Sequence, residues 1–511
     1  MRFTKSRWLA ATSAAVFALA GFAAQAATPR YGGTLHVKLR ASSVSLDPRE
    51  WAPGSLSSAA GEKLASLVYD RLVTLDDHAK FQPGLATEWS HDATGRNWQF
   101  KLRSGVRFSD GSLLTPSDAV VSLQIALGKG FEVVVVENGV AIRAAHPAPD
   151  LLEQLASGRN FVFRPLPDGT LLGTGPFFVA ESIPAAPSEA NPSAIKPARI
   201  KFQANEGAWS GRPFVDFVEV ALGEPALRQL LDLQVGKADI AEIAPDLVRK
   251  GRQEGLRIWN SAPQTLVALR FDDALDAPAS DQLREALWLA LDRDTMANVL
   301  LQREAQPADS LLPQWLSGYA FLFESAMNLQ RARELRAAFP AGVPGATQPL
   351  RLRVDAPGDL FKLMGERVAV NARQANLLVQ VALPGSVSNS SAAATGLHLF
   401  AWHYDSLSSR TELEAFVKQL LGGADLPATI TDPEQLFAQE RRLLEERRIL
   451  PLVLLPEYAG VRANVHNWNA SPWGDWRLAD VWLDSEDPMT TKAPAGQQKN
   501  SSTARSPGAR P

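Results

Sequence analysis

Cysteine is missing from all 511 residues. Its absence excludes structural disulfides, Cys-ligated zinc, iron–sulfur clusters, thiol catalysis and a lipid-modified N-terminal Cys. No excess of positive charge is present either. The formal net charge is −3, which gives no bulk basicity for nucleic acid. No Gly-x-Ser-x-Gly elbow, Walker A loop, dinucleotide glycine fingerprint or His-Glu-x-x-His helix occurs. Carboxylates are plentiful, but nothing singles out a catalytic pair. The chain shows no internal repeat. Beyond the first 26 residues it has no apolar run long enough to span a membrane. From Ser485 onward it has no aromatic residue and no Leu, Ile or Val, so 485–511 is expected to be a disordered tail.

What is present begins with a leader pattern. Arg2, Lys5 and Arg7 precede an apolar stretch from Trp8 to Ala24, which ends in Ala24–Gln25–Ala26. Residues 1–26 therefore read as a cleavable secretory signal. The remainder is long enough for several domain-sized units, and its composition is that of a globular protein.

Strand and helix patterns alternate along that remainder, giving an α/β class. Thr34–Leu39 and Phe131–Val136 have strand character, the second followed by a turn at Glu137–Asn138–Gly139. Ala59–Leu72 carries a helical stripe. Trp98–Leu102 and Val106–Phe108 flank Ser104–Gly105 as a hairpin would. Thr115–Pro116–Ser117–Asp118 opens a helix. Phe214–Leu222 alternates as a strand, and Ala226–Val235 is a helix stopped by Gly236. Asp281–Leu291 is the clearest helix, with Ser280 placed to cap it and Asp292 to cap the next. Pro433–Arg448 is an amphipathic helix and Ile449–Leu455 a buried strand. Ser182–Pro197 and Gly385–Gly396 read as long, poorly ordered loops.

A series of motifs, in order, is more specific. It comprises Gly32–Leu35, Leu46–Asp47–Pro48, Val68–Val73 and Pro83–Ala86 with Glu88–Trp89. It continues through Trp98–Phe108, Asp110–Gly111 and Asp118–Ala119–Val120, then Gly173–Phe177 and Arg212–Asp216. Arg284–Ala286, Leu291–Arg293 and Leu312–Pro313 complete it. Together these resemble the family 5 extracellular solute-binding proteins, the oligopeptide, dipeptide and nickel-type receptors of ABC importers. The resemblance is spread over Tyr31–Pro313 and thins in the C-terminal third.

The resemblance implies a two-lobed periplasmic binding protein of the class II, cluster C type. The first lobe would span 27–265, with an extra subdomain at about 47–172. The second would span 266–464, and 465–484 would return to the first. Two crossing strands are expected near Gln264–Phe271 and Leu452–Val465. Such lobes close over ligand by hinge motion.

Trp402–His403–Tyr404–Asp405 keeps the Trp-x-x-Asp spacing of peptide-binding members, in which the Asp pairs with the ligand ammonium. Asp405 is accordingly the first candidate. A cation removed from water needs a charged partner. The residues that follow, Ser406–Leu407–Ser408–Ser409, depart from the family pattern. The competing assignment for Asp405 is a cap on a loop or on the helix near Thr411. Trp402 would be an apolar wall or cation–π surface, or else core packing. Tyr404 would be a hydrogen-bonding or rim residue. Ser42 and Ser43 would flank a cleft-facing strand end, or only an ordinary strand exit. The C-terminal tryptophans Trp468, Trp473, Trp476 and Trp482 are expected to pack the returning terminus. His398 and His403 are five apart, on opposite faces of a strand, so no shared metal site is expected.

The expected function is that of a periplasmic substrate-binding component of an ABC importer. It would bind peptides between its lobes, as a monomer, with ABC permease subunits as partners. No cofactor, metal, nucleic acid, lipid anchor or enzymatic activity is expected. The alternatives are a diverged sensor or adaptor, or a receptor for a non-peptide solute such as chelated nickel or an oligosaccharide.

Overall fold

The computed structural model describes residues 28–484, apart from 188–194, 273–274, 276–279, 320–322, 324–326, 340–344, 346–347, 383–394, 424–425, 427–429 and 431. The expected leader, the expected tail, the centre of the Ser182–Pro197 loop and most of Gly385–Gly396 lie outside the described residues.

One eleven-stranded sheet carries most of the architecture. Its main strands are β1 (Thr34–Leu39), β2 (Arg257–Phe271), β3 (Thr395–His403) and β4 (Ile449–Val461). Two helices bear on the site, α1 (Leu56–Ala65) and α2 (Ser409–Leu421). β1 lies between Phe217–Leu222 and Ile240–Glu242, parallel to both. Its Leu35, Val37 and Leu39 are buried in one core with Phe202, Val218, Val220 and Ile240. Val465, Trp476 and Val481 join that same core from the C-terminal end.

β2 and β4 are 15 and 13 residues long, well beyond the usual strand of ~5–6 residues. They pair antiparallel from Arg257↔Val461 to Arg270↔Ile449. At one end β4 also pairs with Ile240–Glu242. At the other end β2 pairs with β3, from Thr265↔His403 to Phe271↔Leu397. The register is irregular between Asn260 and Thr265, where Pro263 faces Pro456. Neither proline has an N–H to donate, so the ladder is interrupted at this pair.

Within the second lobe, alternate residues of β2 enter different cores. Val267, Leu269 and Phe271 pack on one face, Leu266 and Ala268 on the other. This explains the unbroken apolar run, since both faces are covered. A separate core forms under the four-stranded sheet of Ala86–His91, Asn97–Leu102, Gly139–Ala144 and Phe131–Val136.

Several local expectations change. Asn97–Leu102 does not form a hairpin with Val106–Phe108; it pairs with Ala86–His91 and Gly139–Ala144. Strand pairing is nonlocal here, and a turn signal does not select the partner. The helix expected over Ala59–Leu72 is Leu56–Ala65. Ser280 makes no side-chain cap, whereas Asp292 accepts the Thr295 N–H at 2.9 Å. The flanks of the Ser182–Pro197 loop pair as Ala186–Pro187 with Ile195–Lys196.

Candidate functional site

The site is built where β3 ends. Trp402 is 2% exposed. Its Nε1–H donates to Glu412 Oε1 at 2.6 Å, and its ring lies 5.1 Å from that of Phe416. Both partners are on α2. Tyr404 is buried, and its hydroxyl donates to the Leu311 carbonyl at 2.6 Å. These two side chains thus anchor the strand end in the second-lobe core. The chain then turns, and the N–H groups of Asp405 and Ser406 donate to Glu412 Oε2 at 3.2 and 2.9 Å. Ser408 caps α2 by accepting the Thr411 N–H at 3.1 Å.

That turn presents the Asp405 carboxylate to the segment leading into α1. Oδ2 accepts the Gly54 N–H at 2.7 Å, and Oδ1 lies 3.2 Å from His403 Nδ1. The His403 N–H donates to the Gly54 carbonyl at 3.0 Å. Gly54 has φ +74°, and a Cβ there would stand 2.2 Å from the Trp402 ring. Only glycine lets the backbone at residue 54 lie this close to β3.

Two cavities meet at Asp405. One, of about 480 Å³ including its mouth, is walled by Glu62 and Lys63 of α1, Gln264 of β2, His403, Glu457 and Trp473. The other, of about 780 Å³ including its mouth, extends between Trp51–Pro53, Gln154–Asn160 and the start of α2. Glu62, Ser157, Asp405 and Ser406 border both.

The electrostatics of this wall are coupled. Burial opposes a charge on His403, but Asp405 and Glu457 outweigh it and push its pKa up to about 10. Burial likewise opposes the Glu457 charge, yet Lys63 and His403 hold its carboxyl far below the usual range. Burial pushes Glu62 up to about 7; Arg71 opposes this shift, while Asp475 and Asp405 add to it. Glu412 is pushed up to about 8 by burial and by Asp405, against its Trp402 and Ser406 donors.

Of the residues expected at the site, Asp405 and Tyr404 border the first cavity. Trp402 lies behind them in the core. Ser42 and Ser43 are exposed at the end of β1, and neither borders the two cavities. Trp468, Trp476 and Trp482 pack, with Trp468 and Trp476 rings 5.1 Å apart and Trp482 stacked on His466 at 4.1 Å. Trp473 instead borders the cavity beside Trp315, at 5.4 Å. His398 bonds Asp272 and Asp355 at 2.6 and 2.8 Å, away from His403. Among the described residues no group of three or more His, Asp or Glu side chains is arranged to hold a metal ion.

A family model for bacterial extracellular solute-binding proteins, family 5 Middle, matches residues 80–419, about two thirds of the chain. The chain belongs to this family. Among curated proteins, the family 5 chain is 26% identical over 328 residues to a probable di/tripeptide-binding protein 5 of Pseudomonas aeruginosa. That match covers 58% of this chain and 62% of the relative. It is also 24% identical over 372 residues to the nickel-binding periplasmic protein of Escherichia coli, covering 64% of this chain and 67% of that one. The matched stretches thus span about three fifths to two thirds of these relatives' length. Among solved structures, the oligopeptide-binding protein AppA of Bacillus subtilis, in complex with a nonapeptide, superposes with a TM-score of 0.71 at 16% identity. That superposition covers 90% of this chain and 100% of AppA, and so shows the two-lobed fold.

Sequence reasoning passed over Gly54, Glu62, Lys63 and Glu457, and weighed His403 only as a metal ligand. One signal was present. Glu457 is the single charge within the apolar run Ile449–Val461, and a charge buried there needs a partner. Among the described residues no helix is long and apolar enough to cross a membrane.

Proposed function

We propose that this family 5 protein is the periplasmic substrate-binding component of an ABC importer and holds peptides between its two lobes. One observation carries this reading: the Asp405 carboxylate, fixed by Gly54 and His403, opens onto cavities walled by both lobes. Two donors leave lone pairs free on each oxygen, and these suit a ligand ammonium. Export through the 1–26 leader, a soluble product without a lipid anchor, an ABC permease partner and a binding rather than catalytic role belong to the same proposal. So does the division into lobes at 27–265 and 266–464, with 465–484 returning to the first. The names of the P. aeruginosa relative and of the AppA complex support a peptide ligand.

The test is calorimetric titration of the protein with di- and tripeptides, free and N-acetylated. Binding of the free peptides alone supports the reading. Equal binding of the acetylated peptides removes the ammonium role, and no binding of either removes the peptide role.

A non-peptide solute is the second reading. It is favoured by the commitment of the segment after Asp405 to protein contacts. Leu407 N–H donates to Ser157 Oγ at 3.0 Å, and Ser408 Oγ contacts Asp150.

A further inference from the structure

A row of buried and half-buried charges crosses from one lobe to the other behind Asp405. From Asp405 it runs through His403, Glu457 and Lys63 to Glu242, with successive contacts of 3.2, 3.5, 3.0 and 3.1 Å. The signs alternate along it. Each part of the fold contributes. Asp405 and His403 come from the end of β3, and Lys63 from α1. Glu242 is in a first-lobe strand, and Glu457 follows Pro456 at the crossing of β4. Lys63 and His403 side chains are only 5% and 10% exposed. Other charges lie beside the row. Arg40 approaches Glu242 at 3.8 Å, Glu62 pairs with Arg71, and Asp475 stands 3.9 Å from Arg71. Glu412 borders Asp405 from α2.

A buried charge stripped of its partner is strongly disfavoured. Lys63 and His403 share one acceptor, Glu457, yet they belong to different lobes. Moving the lobes apart therefore takes Glu457 from one of them, leaving Lys63 with Glu242 alone or His403 with Asp405 alone.

We propose that His403 and Lys63 are positioning residues of the ligand site, which through their shared acceptor Glu457 hold Asp405 in register with the first lobe and couple its occupation to lobe closure. The inference rests on the proposed role of Asp405. A ligand ammonium on Asp405 adds positive charge next to His403. Glu457 is the group placed to balance it, and Lys63 fixes Glu457 against α1. Binding then favours the arrangement in which Glu457 reaches both cations, which is the closed one. Gly54 is a second tie in the same place, joining the lobes through its N–H on Asp405 and its carbonyl on His403.

The absence of cysteine makes the test direct, because labels can be attached at two introduced thiols alone. Leu227 and Leu363 are exposed, on helices Ala226–Gln234 and Asp359–Gln374 of the two lobes. Spin labels on Leu227→Cys and Leu363→Cys report the lobe separation by pulsed electron resonance. It is measured free and with trialanine as the probe, in the parent, Lys63→Met, His403→Gln and the double variant. Circular dichroism and thermal midpoints verify folding. The proposal expects each single variant to lengthen the separation and the double variant to lengthen it no further, because the row acts as a unit. One distance distribution shared by parent and folded single variants, free and with probe, overturns it. So does a double variant that shifts by the combined effect of the singles. Should Lys63→Met not fold, Lys63→Arg must keep the parent distribution while His403→Gln lengthens it. The distances in the ligand-free protein decide this inference even if no peptide binds. Failure of the peptide reading would show separately, in the titration.

Discussion

The Asp405 carboxylate is oriented by the Gly54 N–H and the His403 ring, and its proposed partner is a ligand ammonium. Asp405→Ala should lower peptide affinity by about 2–5 kcal/mol, as expected for breaking a buried charge pair. Calorimetric titration reads this directly, and unchanged affinity would refute the assignment. His403 carries a second prediction at the same scale. Its pKa rises on folding from 6.5 to about 10. The folded state therefore holds the proton more tightly than the unfolded chain, and this stabilisation is complete below pH 6.5. It is lost as pH rises towards about 10. Glu62 and Glu412 are raised as well and shift the profile in the same sense. The difference between parent and His403→Gln isolates the histidine. Urea unfolding across this range should show a fall in stability for the parent that is smaller in His403→Gln; parallel profiles would contradict it. The Trp-x-x-Asp spacing drew attention to Asp405, which does border the cavity, but the residues that support it were not legible. Lys63 and Glu457 are 394 residues apart, and no periodic pattern reports a pair that only the fold creates.

At the scale of elements, the loop leading into α1 meets the end of β3 at Gly54. Gly54→Ala places a methyl group in the Trp402 ring at a positive φ. It should weaken ligand binding by about 1–3 kcal/mol through overpacking, read by titration beside a thermal midpoint that verifies folding. Unchanged affinity would mean that this contact is not used in the bound state. The N-terminal end of the helix Pro116–Leu127 offers a test away from the cavities, which the helix reaches only at Ala126 and Leu127. Asp118 accepts the Thr115 N–H at 2.8 Å and pairs with Arg164 at 2.7 Å. Asp118→Ala should cost about 1–3 kcal/mol of stability, seen in thermal unfolding, without altering peptide affinity. Elements with strong local patterns were legible, among them Thr34–Leu39, Phe131–Val136 and the Thr115 start of that helix. The partner of Asn97–Leu102 was not, because a local turn signal competes with nonlocal pairing. For β4 the local pattern gave Ile449–Leu455 and the resemblance a crossing near Leu452–Val465; the strand is continuous over Ile449–Val461. In the fold Pro456–Glu457 is the crossing itself, where the missing N–H of Pro456 and the buried charge of Glu457 both have a use.

At the scale of the whole molecule, periodicity reached no further than an α/β class. The two-lobed arrangement came from the ordered motif series, and family membership and structural superposition agree with it. The geometry adds what the motifs did not contain: two long strands interrupted by facing prolines, with a row of alternating charges beside the interruption. A hinge with few ladder bonds bends readily, while a paired row favours one closed register. Together they suit a receptor that closes on its ligand. The most direct test of that account is native mass spectrometry of the protein purified from its own host, followed by denaturation to release what it carries. The account predicts a bound mass that resolves, on release, into peptides of a narrow length range. Release of a non-peptide solute, or a cleft still empty after unfolding and refolding with peptide mixtures, would contradict it.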